Sequence, residues 1–264
     1  MATSSSVDSD TAEGMECPLC KGAGFVYPLN ASGRPDFSRV VVCKCSQEEL
    51  DGGHLEHLRR ASGDLALKLL KSMTFETFDP KRVNLPKEQQ DNLNHAYQTA
   101  RSYAKNLDGW LVFMGPNGCG KTHLAAAIGN YQLDKGNPVY FKVVPDLLDH
   151  LRSAFGPESG IAYDEMFERV KCAPLLMLDD FGEQAGTPWA QEKLYQVINY
   201  RYNERLPTVI TTCYSLEDIE TRISSRLADY RLSISFNINV PDYRSDLSPS
   251  EIGKQRSHRG RRTR

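Results

Sequence analysis

The chain has 264 residues, 40% hydrophobic and 25% charged, with a formal net charge of −2. That is enough chain to bury a sizeable core in one or two domains, with an ordinary soluble globular composition, and no apolar run reaches the roughly 18 residues of a membrane span. The seven cysteines are an odd number whose spacing favours metal over disulfides, so a reducing cytoplasm is the simplest compartment.

Residues 1–13 read as a disordered tail, because they are rich in Ser, Asp and Thr and lack apolar residues able to offset ordering entropy. They also lack the basic start and apolar stretch of a secretory signal. Residues 14–47 carry Cys17-Pro-Leu-Cys20 and Cys43-Lys-Cys45 around a 22-residue insert. Four thiolates in two close pairs suit tetrahedral Zn²⁺, and so small a segment would draw its folding energy from the metal. A redox pair or unliganded thiols are the alternatives. Residues 48–84 read as a helical connector with Leu65, Leu67, Leu69 and Leu70, followed by Met73-Thr-Phe-Glu-Thr-Phe78-Asp-Pro80.

Residues 85–240 alternate helix and strand. A polar helix is expected over 88–106, then a buried strand at Trp110–Met114, an amphipathic helix at Thr122–Leu133 and a strand at Val139–Val144. A helix follows at Asp146–Phe155, and no element is assigned before the next strand at Leu175–Leu178. The helix Trp189–Glu204, strand Thr208–Thr212, helix Leu216–Leu227 and strand Leu232–Ile238 complete the series. Such βα alternation predicts an α/β fold: a parallel five-stranded sheet with helices on both faces.

Between the first strand and its helix stands Gly115-Pro116-Asn117-Gly118-Cys119-Gly120-Lys121-Thr122, a complete G-x-x-x-x-G-K-[ST] phosphate-binding loop, with His123 after it. Glycines let successive backbone N–H groups point at phosphate oxygens, Lys121 can bridge the β and γ phosphates of ATP, and the Thr122 hydroxyl can bind Mg²⁺. The run Leu175–Leu178 ends in Asp179 and Asp180. In an α/β sheet ligands sit at strand carboxyl ends, so Asp179 is assigned to Mg²⁺ and Asp180 to activating the attacking water. Asp180 is one methylene shorter than Glu, which predicts slow turnover or help from Glu183. Two carboxylates capping a turn is the plainer reading.

Thr211-Thr212-Cys213 closes the fourth strand on the same sheet edge, where Thr212 can reach the γ-phosphate or remain a strand-pairing residue. Arg222 and Arg226 lie four apart on one helix face. From a neighbouring subunit Arg226 can stabilise phosphoryl-transfer charge, or the pair is simply a solvated face. Cys119, Cys172 and Cys213 are expected to be small buried hydrophobes. Residues 241–264 read as a basic flexible tail; residues 251–264 net +5, leaving −7 for the rest. That tail can contact phosphates or simply keep the chain soluble.

Gly115–Thr122 with His123-Leu-Ala-Ala-Ala, Leu175-Leu-Met-Leu-Asp-Asp-Phe-Gly182, and the stretch Trp189–Thr212 together resemble the DnaC/DnaI-type bacterial helicase loaders. They also resemble the related IstB-type transposition helper ATPases. The resemblance covers about residues 70–240, and the cysteine segment before it resembles the DnaI-like arrangement. It implies an AAA+ ATPase without a C-terminal lid that assembles on a hexameric replicative helicase and helps place it on single-stranded DNA. It further implies a homo-oligomer in the presence of ATP and DNA, Thr212 as sensor, Arg226 as the trans-acting finger, and an N-terminal module that docks on the helicase. A transposase is the alternative partner, and an adaptor that binds nucleotide without turnover the alternative activity. The chain departs from the family in carrying Cys213 where Asn is common and Asp180 where Glu is frequent.

Overall fold

Each of the five strands expected in the ATPase region is present. The structure, a computed structural model, describes residues 18–20, 25–28, 41–43, 53–153, 160–182 and 187–245. In the cysteine segment, β1 (Phe25–Val26) pairs antiparallel with β2 (Val41–Val42). The connector forms α1 (Gly53–Ala61), a 3-10 turn (Asp64–Ala66) and α2 (Lys68–Lys71), then runs without regular structure to α3 (Lys87–Lys105). It is thus helical only in its first half. Then follow β3 (Trp110–Met114), α4 (Lys121–Asp134), β4 (Tyr140–Val143), α5 (Val144–Ser153), α6 (Gly160–Cys172) and β5 (Leu176–Asp179). The series ends with α7 (Pro188–Asn203), β6 (Thr208–Thr212), α8 (Thr221–Leu227), β7 (Ser233–Asn237) and a 3-10 turn at Tyr243–Ser245.

Strands β3 to β7 form one parallel sheet in the order β4-β5-β6-β3-β7. Alternating side chains feed two cores. Leu111, Phe113, Phe141, Met177 and Val209 face α3, α4 and the connector. Trp110, Val112, Leu176, Leu178 and Ile210 face α5 to α8. Edge strand β4 does not end in open hydrogen-bonding groups. Phe141 N–H donates to Ser62 O (3.0 Å) and Val143 N–H to Asp64 Oδ2 (2.9 Å), so the connector covers it.

Two departures from the sequence expectations have physical causes. Helix α4 is not one-sided: Ala126, Gly129, Asn130 and Gln132 are buried along with the predicted apolar face. The connector lies over its outer side, where Asn130 Nδ2 donates to Leu70 O (2.9 Å) and Met73 O (2.8 Å). At Gly129 a Cβ would stand 2.7 Å from the Leu65 side chain, so any larger residue would push Leu65 aside. Helix α6 was not anticipated. Its buried Tyr163, Phe167 and Val170 follow helical spacing but are interleaved with Asp164, Glu165, Glu168 and Arg169, which dilute the apolar signal.

Candidate nucleotide-binding site

The P-loop joins the end of β3 to α4. Gly115, Gly118 and Gly120 all have positive φ (142°, 71° and 109°), a path that other residues adopt only with strain. At Gly118 any side chain would collide with the Asp242 carboxylate, 1.8 Å from the ideal Cβ position. Pro116 and Asn117 are exposed at the loop's tip, and Cys119 is buried with its thiol pKa raised by that burial. Lys121 is only 4% exposed, and its ammonium donates to Gly115 O (2.8 Å) and Pro116 O (2.9 Å). It is therefore held inside the loop by carbonyls alone. His123 Nε2 lies 3.0 Å from Thr74 O; a carbonyl only accepts, so this nitrogen carries the hydrogen and ties the connector to α4.

Asp179 ends β5 and is buried. Its carboxylate accepts from the Thr122 hydroxyl (2.9 and 3.1 Å) and from the Thr211 hydroxyl (2.5 Å). Burial raises its pKa to about 6, against the pull of the Thr211 bond. Three elements that are distant in sequence thus meet at one carboxylate. A hydroxyl and a carboxylate side by side are hard oxygen donors of the kind Mg²⁺ takes, so Thr122 and Asp179 fit that ion. Thr211, not Thr212, makes the contact. The Thr212 hydroxyl accepts from Tyr214 N–H (3.0 Å). Asp180 has left-handed backbone (φ 54°), its N–H donates to the Thr211 hydroxyl (3.1 Å), and its side chain lines the cavity beside the P-loop.

That cavity has a volume of about 510 Å³. Besides Lys121, Thr122, His123 and Asp180, it is lined by Met73, Phe78 and Arg82 of the connector and by Tyr243 and Arg244 from beyond β7. Residues 241–245, expected to belong to a flexible tail, instead fold back, and Tyr243 N–H donates to Gly118 O (3.0 Å). Arg244 pairs with Asp242 (3.0 Å), which raises its pKa, and Asp180 adds to that effect. No motif marks Arg82 or Arg244; the only signal in the sequence is a basic residue within a few positions of a strand or connector end. Among the described residues no helical lid follows β7.

Arg226 is not among the described residues lining this cavity. It is half-buried on α8, where it donates to Asn199 Oδ1 (2.7 Å) and lies 5.0 Å from the Tyr195 ring centre. Cys172 is buried as expected, but Cys213 is exposed just beyond β6. In the cysteine segment Cys20 and Cys43 are both buried, Cys43 directly after β2. Cys17 and Cys45, Glu183, residues 1–13 and residues 246–264 lie outside the described residues. No helix among the described residues is long and apolar enough to cross a membrane.

A P-loop strand between β6 and β7, an acidic strand beyond β6, and a cavity at their carboxyl ends define a P-loop nucleotide-binding fold of the AAA+ class. The chain belongs to the family of IstB-like ATP binding proteins, whose model matches residues 51–232. It is 29% identical over 163 residues to the replicative helicase loader DnaC of Escherichia coli K12, covering 60% of this chain and 66% of that protein. With the replicative helicase loader DnaI of Bacillus subtilis it shares 27% identity over 143 residues, 54% of this chain and 43% of that one. The chain thus spans just under two thirds of the DnaC relative and less than half of the DnaI relative. A crystal structure of the DnaC helicase loader superposes with a TM-score of 0.51 at 30% identity, covering 65% of this chain and 99% of the other.

Proposed function

We propose that this chain binds ATP with Mg²⁺ over the P-loop, hydrolyses it, and acts in the cytoplasm as a loader of a hexameric replicative helicase onto single-stranded DNA. The observation that carries the reading is the convergence of Thr122 and Thr211 on Asp179 beside the buried Lys121. The helicase partner rests on likeness to proteins named replicative helicase loaders.

In this reading the amides of Gly115–Gly120 hold the phosphates, and Lys121 exchanges its two carbonyl partners for phosphate oxygens. Thr122 and Asp179 hold Mg²⁺, which when bound neutralises phosphate charge. Asp180 orients the attacking water, Thr211 fixes Asp179, and Thr212 is a weaker sensor candidate than its neighbour. Arg244 approaches the phosphates from within the chain. Arg226 serves an adjacent subunit, as a homo-oligomer formed with ATP and DNA would require. Cys17, Cys20, Cys43 and Cys45 hold a structural Zn²⁺ in a module, residues 14–47, that meets the helicase. The connector 48–84 leads from it to the ATPase domain 85–240.

The test has two parts. Lys121→Ala is expected to weaken nucleotide binding by about 100-fold or more, since one charged contact to phosphate is worth roughly 3 kcal/mol. Wild-type affinity in that variant would remove the nucleotide reading. Capture from native lysate is expected to bring down the replicative helicase; recovery of a transposase in its place would transfer the chain to transposition.

A further inference from the structure

The geometry points to Arg82 as a positioning residue that holds the segment after β7 closed over the P-loop. The inference rests on the nucleotide-binding reading. Arg82 lies in the connector, far from every motif, yet it is only 6% exposed. Its backbone is left-handed (φ 23°), a conformation that costs a non-glycine residue about 1 kcal/mol or more. The turn is fixed by Asp79, whose Oδ1 accepts from Lys81 N–H (3.0 Å) and Arg82 N–H (3.3 Å). A buried, left-handed arginine on an otherwise polar turn needs a reason, and its side chain supplies one.

The Arg82 guanidinium donates to Pro241 O (2.9 Å) and lies 5.2 Å from the Tyr243 ring centre. Tyr243 is itself anchored to the P-loop apex through Gly118 O (3.0 Å). The next residue is Arg244, whose charge reaches Asp180 and which lines the same cavity. A chain of direct contacts therefore runs from the connector, through Arg82, to the cation at the phosphate end. Arginine suits this place because one planar group can donate to a carbonyl and stack on a ring. Arg82 touches no reacting atom in this arrangement. It sets where Arg244 stands, and it makes that position depend on the connector.

The experiment uses the full chain and fluorescent ATP and ADP analogues, with hydrogen exchange followed at the Tyr243 amide. Arg82→Ala is expected to weaken ATP binding about tenfold and ADP binding no more than about twofold, because Arg244 lines the cavity with Asp180, the residue that faces the terminal phosphate in the proposed reading. The Tyr243 amide should exchange faster. Arg82→Lys keeps the charge without the planar contact and should restore part of the ATP affinity. Adding Tyr243→Ala to Arg82→Ala should cost little more, since contacts in one chain are not additive. Equal loss of ATP and ADP, or unchanged exchange at Tyr243, would overturn the inference. Wild-type binding abolished by Lys121→Ala but untouched by Arg82→Ala would sink the Arg82 role alone. A wild-type chain that takes up neither analogue would sink the nucleotide reading, and the exchange measurement would still decide whether Arg82 holds the segment. Should Arg82→Ala fail to fold, Arg82→Lys and Tyr243→Ala give the same two readouts.

Discussion

The sheet carries a buried cation at each end, and the two differ in what surrounds them. Lys121 sits at the carboxyl ends of the strands, 4% exposed and bonded to Gly115 O and Pro116 O. Arg201 sits at the opposite end, fully buried. It donates to Lys171 O (2.8 Å), Ala173 O (2.8 Å), Pro207 O (2.5 Å) and Thr208 Oγ1 (2.9 Å). Burial lowers its pKa to about 10, so it remains charged. Both are cations held by carbonyls, so burial alone does not separate a working cation from a structural one. The surroundings do. Lys121 borders an open cavity shared with Asp180 and Arg244, whereas Arg201 joins α6, α7 and β6 with most of its donors engaged.

The largest effect is expected at Arg201. Arg201→Met keeps apolar bulk but strands several buried carbonyls, and should lower unfolding free energy by roughly 3–5 kcal/mol in urea titration. Nucleotide affinity of the folded fraction should be unchanged. Lys121→Ala should show the reverse, with stability within about 1 kcal/mol of wild type. If Arg201→Met bound nucleotide poorly at full stability, the division between the two ends would fail.

A smaller effect sharpens the phosphate end. Asp179 holds its proton up to about pH 6, above the ordinary carboxylate value. A folded pKa above the unfolded one means that the folded state binds the proton more tightly. Its stabilising contribution is therefore present below about pH 4 and is lost as pH rises through about 6, in metal-free protein. In metal-free buffer, Asp179→Asn should exceed wild type by about 2 kcal/mol at pH 7.5 and match it near pH 4. With Mg²⁺ and nucleotide the order should invert at pH 7.5, because only the wild type offers the carboxylate. Denaturant titrations at the two pH values check both statements; a pH-independent difference would place the proton elsewhere.

The contrast between the two ends also explains what was legible in the sequence. Strand cores such as Trp110–Met114 and Thr208–Thr212 are buried on both faces; the first leaves a continuous apolar run and the second a β-branched one, and both read correctly to the residue. The P-loop is legible because phosphate binding demands local spacing, and Asp179 because it closes an apolar strand run. Arg201 is not, because a charge on a long helix reads as surface until the N-terminal ends of β5 and β6 close over it. Arg82 and Arg244 stand about 40 and 120 positions from Lys121, and only the crossing of connector and post-β7 segment joins them to it. Cys213 was expected inside the protein; it is exposed because β6 has ended and the chain has turned outward.

The smallest effect concerns two neighbouring threonines, which strand alternation separates. Both are fully buried, and sequence cannot say which one faces the P-loop. The Thr211 hydroxyl donates to the Asp179 carboxylate and accepts from Asp180 N–H, so it holds one carboxylate and the backbone that carries the next. The Thr212 hydroxyl meets only the Tyr214 amide among its hydrogen bonds, where the strand turns away past Gly182. Thr211→Val keeps shape and removes one charge-assisted bond, worth about 1–2 kcal/mol, which corresponds to a loss of about tenfold in turnover at saturating nucleotide. It should also raise the Asp179 pKa further, because the bond that opposes burial is gone. The acid limb of the pH–rate profile would then move to higher pH. Thr212→Val lacks any contact with the carboxylate and should leave that limb in place. Steady-state ATPase rates from pH 5 to pH 8 separate the two; a shifted limb in Thr212→Val but not Thr211→Val would return the sensor role to Thr212.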